Sequence, residues 1–127
     1  MVAPLKLAIT GGTGFVGGRL IDLALAAGHE VTALTRRPRK DRPGLTWIDG
    51  ALADREAIHR LVREATAVIH VAGVISATDA AGFQAGNVDG TLSTLAAATA
   101  AGVRRFVHVS SLAAREPKLS LYGASKA

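Results

Sequence analysis

Three groups of residues have the types and spacing that could do chemistry. The first is Thr10-Gly11-Gly12-Thr13-Gly14-Phe15-Val16-Gly17, which fits T-G-x-x-G-x-x-G. Placed between a strand and a helix, such glycines bring the backbone close to a pyrophosphate, and the helix start offers unpaired N–H groups at its positive dipole end. Gly11 permits a sharp exit from the strand, Gly14 lets the backbone approach the pyrophosphate, and Gly17 lets the helix pack close to the sheet. The plainer alternative is a tight turn with incidental glycines. The second group is Arg36 and Arg37, at the end of Ala33-Leu34-Thr35. A dinucleotide fingerprint expects a carboxylate there to bond the ribose 2′-hydroxyl. A carboxylate would repel a 2′-phosphate, whereas a guanidinium holds one bidentately. The third group is Ser111 with Tyr122 and Lys126, the last two in a Y-x-x-x-K spacing. Four residues apart on one helix, they share a face. A phenol of pKa roughly 10 is a poor acid-base group at neutral pH, and a neighbouring ammonium lowers that pKa. In isolation Y-x-x-x-K says little, because both residue types are common on helix surfaces.

The elements that must position these groups alternate. Leu5 to Ile9 reads as a buried strand, Gly11 to Gly18 as a turn, and Leu20, Ile21, Leu23 and Leu25 as an apolar helix ending at Gly28. Val31 to Leu34 is a second strand, Arg36 to Gly44 a loop and Leu45 to Ile48 a third strand. Asp54 is a good N-cap for a helix whose stripe is Ile58, Leu61, Val62 and Ala65. Ala67 to Ala72 is a fourth strand, followed by Gly73. A helix over Phe83 to Ala101 is expected to turn Val88, Leu92, Leu95 and Ala96 inward and to end at Gly102. Arg105 to Val109 is a fifth strand, and Tyr122 to Ala127 opens another helix. Alternating strands and helices, with β-branched and nearly non-alternating strands, predict right-handed crossovers: an α/β fold, a Rossmann-type doubly wound parallel sheet, truncated after about five strands.

Bulk properties narrow the function. At 127 residues the chain suits one domain, residues 1–127. No apolar run approaches the roughly 20 residues of a membrane helix, and no signal peptide is read at Met1 to Lys6. With no cysteine, disulfides, thiolate catalysis and thiolate metal sites are excluded. A reducing, cytoplasmic location is compatible with that, and no metal site is expected. The charge of +5 is concentrated in Arg36, Arg37, Arg39, Lys40 and Arg42, within seven residues. Such a cluster reads as a solvated loop, a nucleic-acid contact or a phosphate-recognising site. It has neither a groove-reading element nor stacking aromatics, so no nucleic-acid partner is expected.

Taken together, these residues resemble the short-chain dehydrogenase/reductase superfamily, on the side of its extended, nucleotide-sugar epimerase/dehydratase-like members. The match runs through the glycine motif, His70-Val71-Ala72-Gly73 of the fourth strand, Asn87-Val88-Asp89-Gly90-Thr91, Phe106 to Ser111 of the fifth strand, and Tyr122 with Lys126. The resemblance implies an NAD(P)-binding domain, with NADP preferred and NAD the second choice. Its cofactor site would take in Gly11, Thr13, Gly14, Phe15, Val16, Gly17, Arg36, Arg37, Leu52, Ala72, Gly73, Asn87, Tyr122 and Lys126. Tyr122 would exchange a proton with the substrate hydroxyl or carbonyl. Lys126 would lower its pKa and bond the nicotinamide ribose, and Ser111 would orient the substrate oxygen. The implied substrate is a small molecule, a nucleotide-sugar at family level, and homodimers pairing through helices are common. Two departures stand out. Gly50-Ala51-Leu52-Ala53-Asp54 replaces the frequent G-D-L-x-D, so Ala51 cannot accept a hydrogen bond from adenine. The C-terminal substrate-binding region of the family is absent, and this chain is expected to be a piece of a longer enzyme. The alternative is a non-catalytic NADP(H)-binding sensor or scaffold module.

Overall fold

The computed structural model describes residues 4–71 and 88–109. Five strands form one parallel sheet: β1 (Lys6–Thr10), β2 (Glu30–Thr35), β3 (Leu45–Asp49), β4 (Ala67–His70) and β5 (Arg105–His108), in the order β3-β2-β1-β4-β5. Leu7 pairs with Val31 on one side and Ala67 on the other, Val31 with Leu45, and Ala67 with Arg105. The order proceeds outward in both directions from β1, so the crossover point lies between β1 and β4 and marks where ligands collect in open α/β sheets.

Among the described residues three helices cover the two faces. Helix α1 (Phe15–Ala26) packs Ile21 and Ala24 against Leu7, Ile9, Val31, Ala33, Leu45 and Ala67. Helices α2 (Arg55–Val62) and α3 (Gly90–Ala100) pack Ala57, Ile58, Leu61, Ala97 and Ala98 against Ala8, Leu34 and Val68 on the opposite face. Neighbouring residues such as Leu7 and Ala8 serve opposite layers, because successive strand side chains alternate. With both faces covered, the strands can be apolar throughout, as the sequence pattern predicts.

The helix ends follow from local chemistry. Asp54 caps α2, its Oδ1 accepting the Ala57 N–H at 3.1 Å. Helix α1 closes with Gly28 N–H donating to the Leu25 carbonyl and His29 N–H to that of Ala24, both at 3.0 Å. Helix α3 closes the same way, Gly102 to Thr99 and Val103 to Ala98. Both are Schellman endings, which satisfy carbonyls the helix itself cannot.

Some boundaries and one face differ from expectation. Gly17 and Gly18 lie within the first turns of α1 instead of in the preceding turn. Ala65 lies past the end of α2 and still packs on the core. In α3 the inward residues are Thr94, Ala97 and Ala98, while Leu92 is 58% and Leu95 41% exposed and Ala96 faces out. The small residues win because they let the helix approach the sheet closely, and Thr94 tolerates burial by donating its hydroxyl to the Gly90 carbonyl at 2.8 Å. Residues 83–87 of the expected helix, Ala72 at the end of β4, and the expected helix from Tyr122 lie outside the described residues.

Ile58 is 1% exposed at the centre of the α2 layer. Ile58→Ala is expected to lower stability by about 2–5 kcal/mol, the range for truncating a buried Ile. Urea denaturation would check this through the midpoint at unchanged slope.

Candidate cofactor site

The carboxyl end of β1 runs into a turn that only glycine can make. Thr10 is fully buried, and Gly11 follows with φ +73°, in the left-handed region. Gly14 N–H donates to the Gly11 carbonyl at 3.2 Å, and α1 begins at Phe15. A Cβ on Gly17 would lie 1.9 Å from the Gly11 carbonyl oxygen. The first turn of α1 is therefore seated directly on the end of β1, at a distance no other residue permits. At Gly14 a Cβ would meet only the Gly11 oxygen, at an ordinary 3.5 Å. Nothing in the protein itself requires glycine at position 14, where the backbone is extended (φ −85°, ψ 179°).

This helix start is chemically open. Gly14 is its N-cap, and among the described residues no side chain hydrogen-bonds to the terminus. The first intrahelical bond is Gly18 N–H to the Gly14 carbonyl, 2.8 Å. The preceding N–H groups, those of Phe15, Val16 and Gly17, point out of the helix at its positive end. Thr13, Gly14, Phe15 and Val16 are exposed, Phe15 to 95%. Such an arrangement attracts an anion, because the donors and the dipole act together.

The end of β2 lies beside this turn in the sheet. The buried Thr35 hydroxyl donates to the Arg37 carbonyl at 2.6 Å and accepts the Arg37 N–H at 3.3 Å, which bends the chain directly after the strand. Arg36 and Arg37 are both exposed at this bend. The Gly50 N–H donates to the Thr35 carbonyl at 2.8 Å, bringing the β3–α2 connection to the same rim. Leu52, on that connection, packs partly buried against the α2 and α3 layer and lines a concavity of about 360 Å³ with Ile58, Leu92 and Ala96. A second concavity of about 430 Å³, lined by Lys6, Glu30, Arg60 and Glu64, opens at the amino ends of β1 and β2. It is larger but sits at the opposite end of the strands from the turn and the arginines.

One residue beneath the site has a structural role that its place in the fourth-strand motif does not show. His70, the last residue of β4, is fully buried. Its Nδ1 lies 2.7 Å from the Thr10 hydroxyl and its Nε2 3.0 Å from the Thr91 hydroxyl. The ring stacks on His108 at 5.7 Å and on Phe106 at 6.2 Å. A neutral imidazole has one donor and one acceptor nitrogen, and a hydroxyl serves either, so both bonds form in either tautomer. His70 thus ties the residue preceding the glycine turn to α3. The available signal was a histidine ending an otherwise apolar strand, where burial demands partners.

Of the expected site residues, Gly11, Thr13, Gly14, Phe15, Val16, Gly17, Arg36, Arg37 and Leu52 come together along the carboxyl rim of β1, β2 and β3. Ala72, Gly73, Asn87, Ser111, Tyr122 and Lys126 lie outside the described residues. Among the described residues no group of three or more His, Asp or Glu could hold a metal ion, and no helix is long and apolar enough to cross a membrane.

A parallel sheet ordered 3-2-1-4-5, with a glycine turn and an open helix start at the carboxyl end of its first strand, defines a Rossmann-like dinucleotide-binding domain. The chain belongs to the NAD dependent epimerase/dehydratase family, whose model matches residues 7–126, within the short-chain dehydrogenase/reductase superfamily. It is 44% identical over 127 residues to a ceramide reductase of Caulobacter vibrioides, covering 94% of this chain and 39% of that protein. Its fold is similar to that of a short-chain dehydrogenase/reductase superfamily protein from Agrobacterium tumefaciens with bound NAD (TM-score 0.84, 30% identity, 95% of this chain and 42% of that one). It is also similar to MoeE5 in complex with UDP-glucuronic acid and NAD (TM-score 0.83, 28% identity, 95% and 45%). The chain therefore spans about two fifths of the length of these relatives.

Two glycine substitutions separate fold from site. Gly17→Ala drives a methyl into backbone that cannot move aside, and is expected to cost about 2–4 kcal/mol, in the severe range for single substitutions. Gly14→Ala is expected to cost about 1 kcal/mol, the loss for alanine as the poorer N-cap, because the added methyl meets no clash. Thermal and urea unfolding of the two variants would show the contrast. His70→Phe keeps a ring but removes both hydroxyl bonds, and is expected to cost about 1–3 kcal/mol by the same measurement.

Proposed function

We propose that this chain is the NADP(H)-binding portion of an oxidoreductase or epimerase of the short-chain dehydrogenase/reductase type. The observation that carries the reading is the helix start at Phe15. It is uncapped by any side chain of the described residues, seated at the carboxyl end of β1, and flanked after β2 by Arg36 and Arg37 where an NAD site would place an acid. The residues fit a dinucleotide. The N–H groups of Phe15 and Val16 would hold the pyrophosphate, and Gly14 would let it approach without a side chain in the way. Leu52 would pack against adenine, whose amino group finds no acceptor at Ala51. Arg36, with Arg37, would take the 2′-phosphate. Ala72, Gly73 and Asn87 complete the cofactor site in this reading, and the protein is taken as cytoplasmic.

When bound, the nicotinamide supplies or accepts a hydride at the hydroxyl- or carbonyl-bearing carbon of the substrate. Tyr122 exchanges the accompanying proton with the substrate oxygen. In this reading Lys126 would favour the Tyr122 phenolate and would hold the nicotinamide ribose. Ser111 orients the substrate oxygen by a hydrogen bond. The complex of MoeE5 with UDP-glucuronic acid supports a nucleotide-sugar as the substrate class, while the similarity to a ceramide reductase supports reduction of a ceramide-like lipid.

Titration of the chain with NADPH and with NADH tests the cofactor assignment. NADPH is expected to bind about tenfold tighter or better. Arg36→Ala should remove about 1.5–3 kcal/mol from NADPH binding, the value of a charge-assisted contact, and little from NADH. Equal affinities in the wild type would reject the NADP preference, and binding of neither would reject the cofactor assignment for this chain. In the longest natural form of the protein, Tyr122→Phe is expected to lower turnover by at least about a hundredfold with NADPH still bound. Unchanged turnover would reject the acid-base role.

A further inference from the structure

The loop between β2 and β3 is ordered by specific contacts. Asp41 Oδ1 accepts the Trp47 N–H at 2.9 Å. Arg42 pairs with Asp22 of α1 at 3.1 Å, and its backbone exchanges two hydrogen bonds with Leu45. With the Thr35–Arg37 bend at the other end, Arg36-Arg37-Pro38-Arg39-Lys40 forms a short arch held at both feet. Arg42 has its carboxylate. Among the described residues no carboxylate lies within ion-pair distance of Arg36, Arg37, Arg39 or Lys40. Four like charges on a short arch repel one another, and a dianion placed among them relieves that repulsion.

Arg39 is exposed but lies against an aromatic ring. Its guanidinium carbon lies 5.4 Å from the centroid of the Trp47 ring. The indole belongs partly to the α1-side core, and its Cζ3 is 3.5 Å from where a Cβ of Gly12 would stand. The contacts therefore run in series: glycine turn, indole, guanidinium. A guanidinium stacked by one face keeps its in-plane N–H groups free for a planar two-point contact, which an ammonium cannot offer. Holding the side chain on a ring also removes rotamer freedom before any ligand arrives.

We propose that Arg39, laid across Trp47, is a specificity-determining residue that binds the phosphate monoester on the cofactor's adenosine ribose together with Arg36. The inference rests on the NADP(H) reading above and adds to Arg36 and Arg37 a third cation and the aromatic platform that aims it. Trp47 is the only tryptophan in the chain, so its emission reports directly on the stack.

The test compares Kd values of wild type, Arg39→Ala, Arg39→Lys, Arg36→Ala and Trp47→Phe for NADPH, NADH, 2′,5′-ADP and ADP, with Trp47 fluorescence followed where the residue is present. Arg39→Ala is expected to weaken NADPH and 2′,5′-ADP by roughly fivefold to tenfold, with NADH and ADP changed less than about twofold. Arg39→Lys should restore less than half of the loss, because the flat stacked fork is missing. Trp47→Phe, with a weaker platform, should fall between wild type and Arg39→Ala. In the wild type 2′,5′-ADP should alter Trp47 emission and ADP should not. If Arg39→Ala keeps the wild-type NADPH/NADH ratio while Arg36→Ala loses it, the role of Arg39 is overturned and the NADP(H) reading stands. A wild-type ratio near one overturns both. Unchanged thermal melting of Arg39→Ala, expected for an exposed side chain, assigns its loss to binding.

Discussion

At Gly17 the first turn of α1 comes within reach of the Gly11 carbonyl, so close that a methyl group would sit 1.9 Å from the oxygen. This contact sets the angle at which the helix leaves the sheet, and with it the direction of the free N–H groups at Phe15 and Val16. It also requires the reversed backbone at Gly11, because the carbonyl must turn under the helix to leave room. The dipole of α1 and the end of β1 then share one small region at the carboxyl rim. Moved outward by the width of a side chain, the same helix would still bury Ile21 and Ala24, but its start would no longer stand over the strand end.

Other contacts keep that region from relaxing. Thr10 precedes Gly11 and is held by His70, which reaches on to Thr91 at the start of α3. The rim of β4 and the second helical layer are thereby coupled to the turn through a buried ring with both nitrogens engaged. A bond to a buried polar group is costly to leave unmade, so this link specifies a geometry more than it adds stability. On the other flank, the Thr35 bend and the Gly50 bond bring the arginine arch and Leu52 to the same rim. The glycine turn, the open helix start and the arginine arch gather at one end of the sheet, whereas the concavity at the amino ends of β1 and β2 mixes Lys6, Arg60 and Arg63 with Glu30 and Glu64.

Much of this could be read from the chain, because the strongest signals are backbone signals. Gly11 and Gly17 are glycines for reasons of conformation and contact that any Rossmann turn shares, and Gly28, Asp54 and Gly102 mark helix ends through chemistry local to a few residues. The strands were readable because burial on both faces leaves runs such as Leu7-Ala8-Ile9 without polar alternation. The face of α3 was not readable. Leucines usually point inward, but here Ala97 and Ala98 do, because close approach to the sheet favours small residues and periodicity alone cannot measure separation between layers. The His70 bridge was hidden for a related reason: Thr10, His70 and Thr91 are far apart in sequence, and it takes the β1–β4 pairing to set Thr10 beside His70 and the packing of α3 to bring Thr91 to the ring. The stack of Arg39 on Trp47 was equally invisible, since it depends on how the loop is pinned by Asp41 and Arg42.

The central claim is that the open start of α1 receives the pyrophosphate of a nicotinamide dinucleotide. Backbone amide resonances of the isotopically labelled chain, followed as NADPH is added, test it most directly. The largest shifts are expected on Gly14, Phe15, Val16 and Gly17, with a second set at Arg36, Arg37 and Leu52, because those amides line the rim where the donors converge. Shifts concentrated instead around Lys6, Glu30, Arg60 and Glu64, with the amides of α1's first turn unmoved, would contradict it.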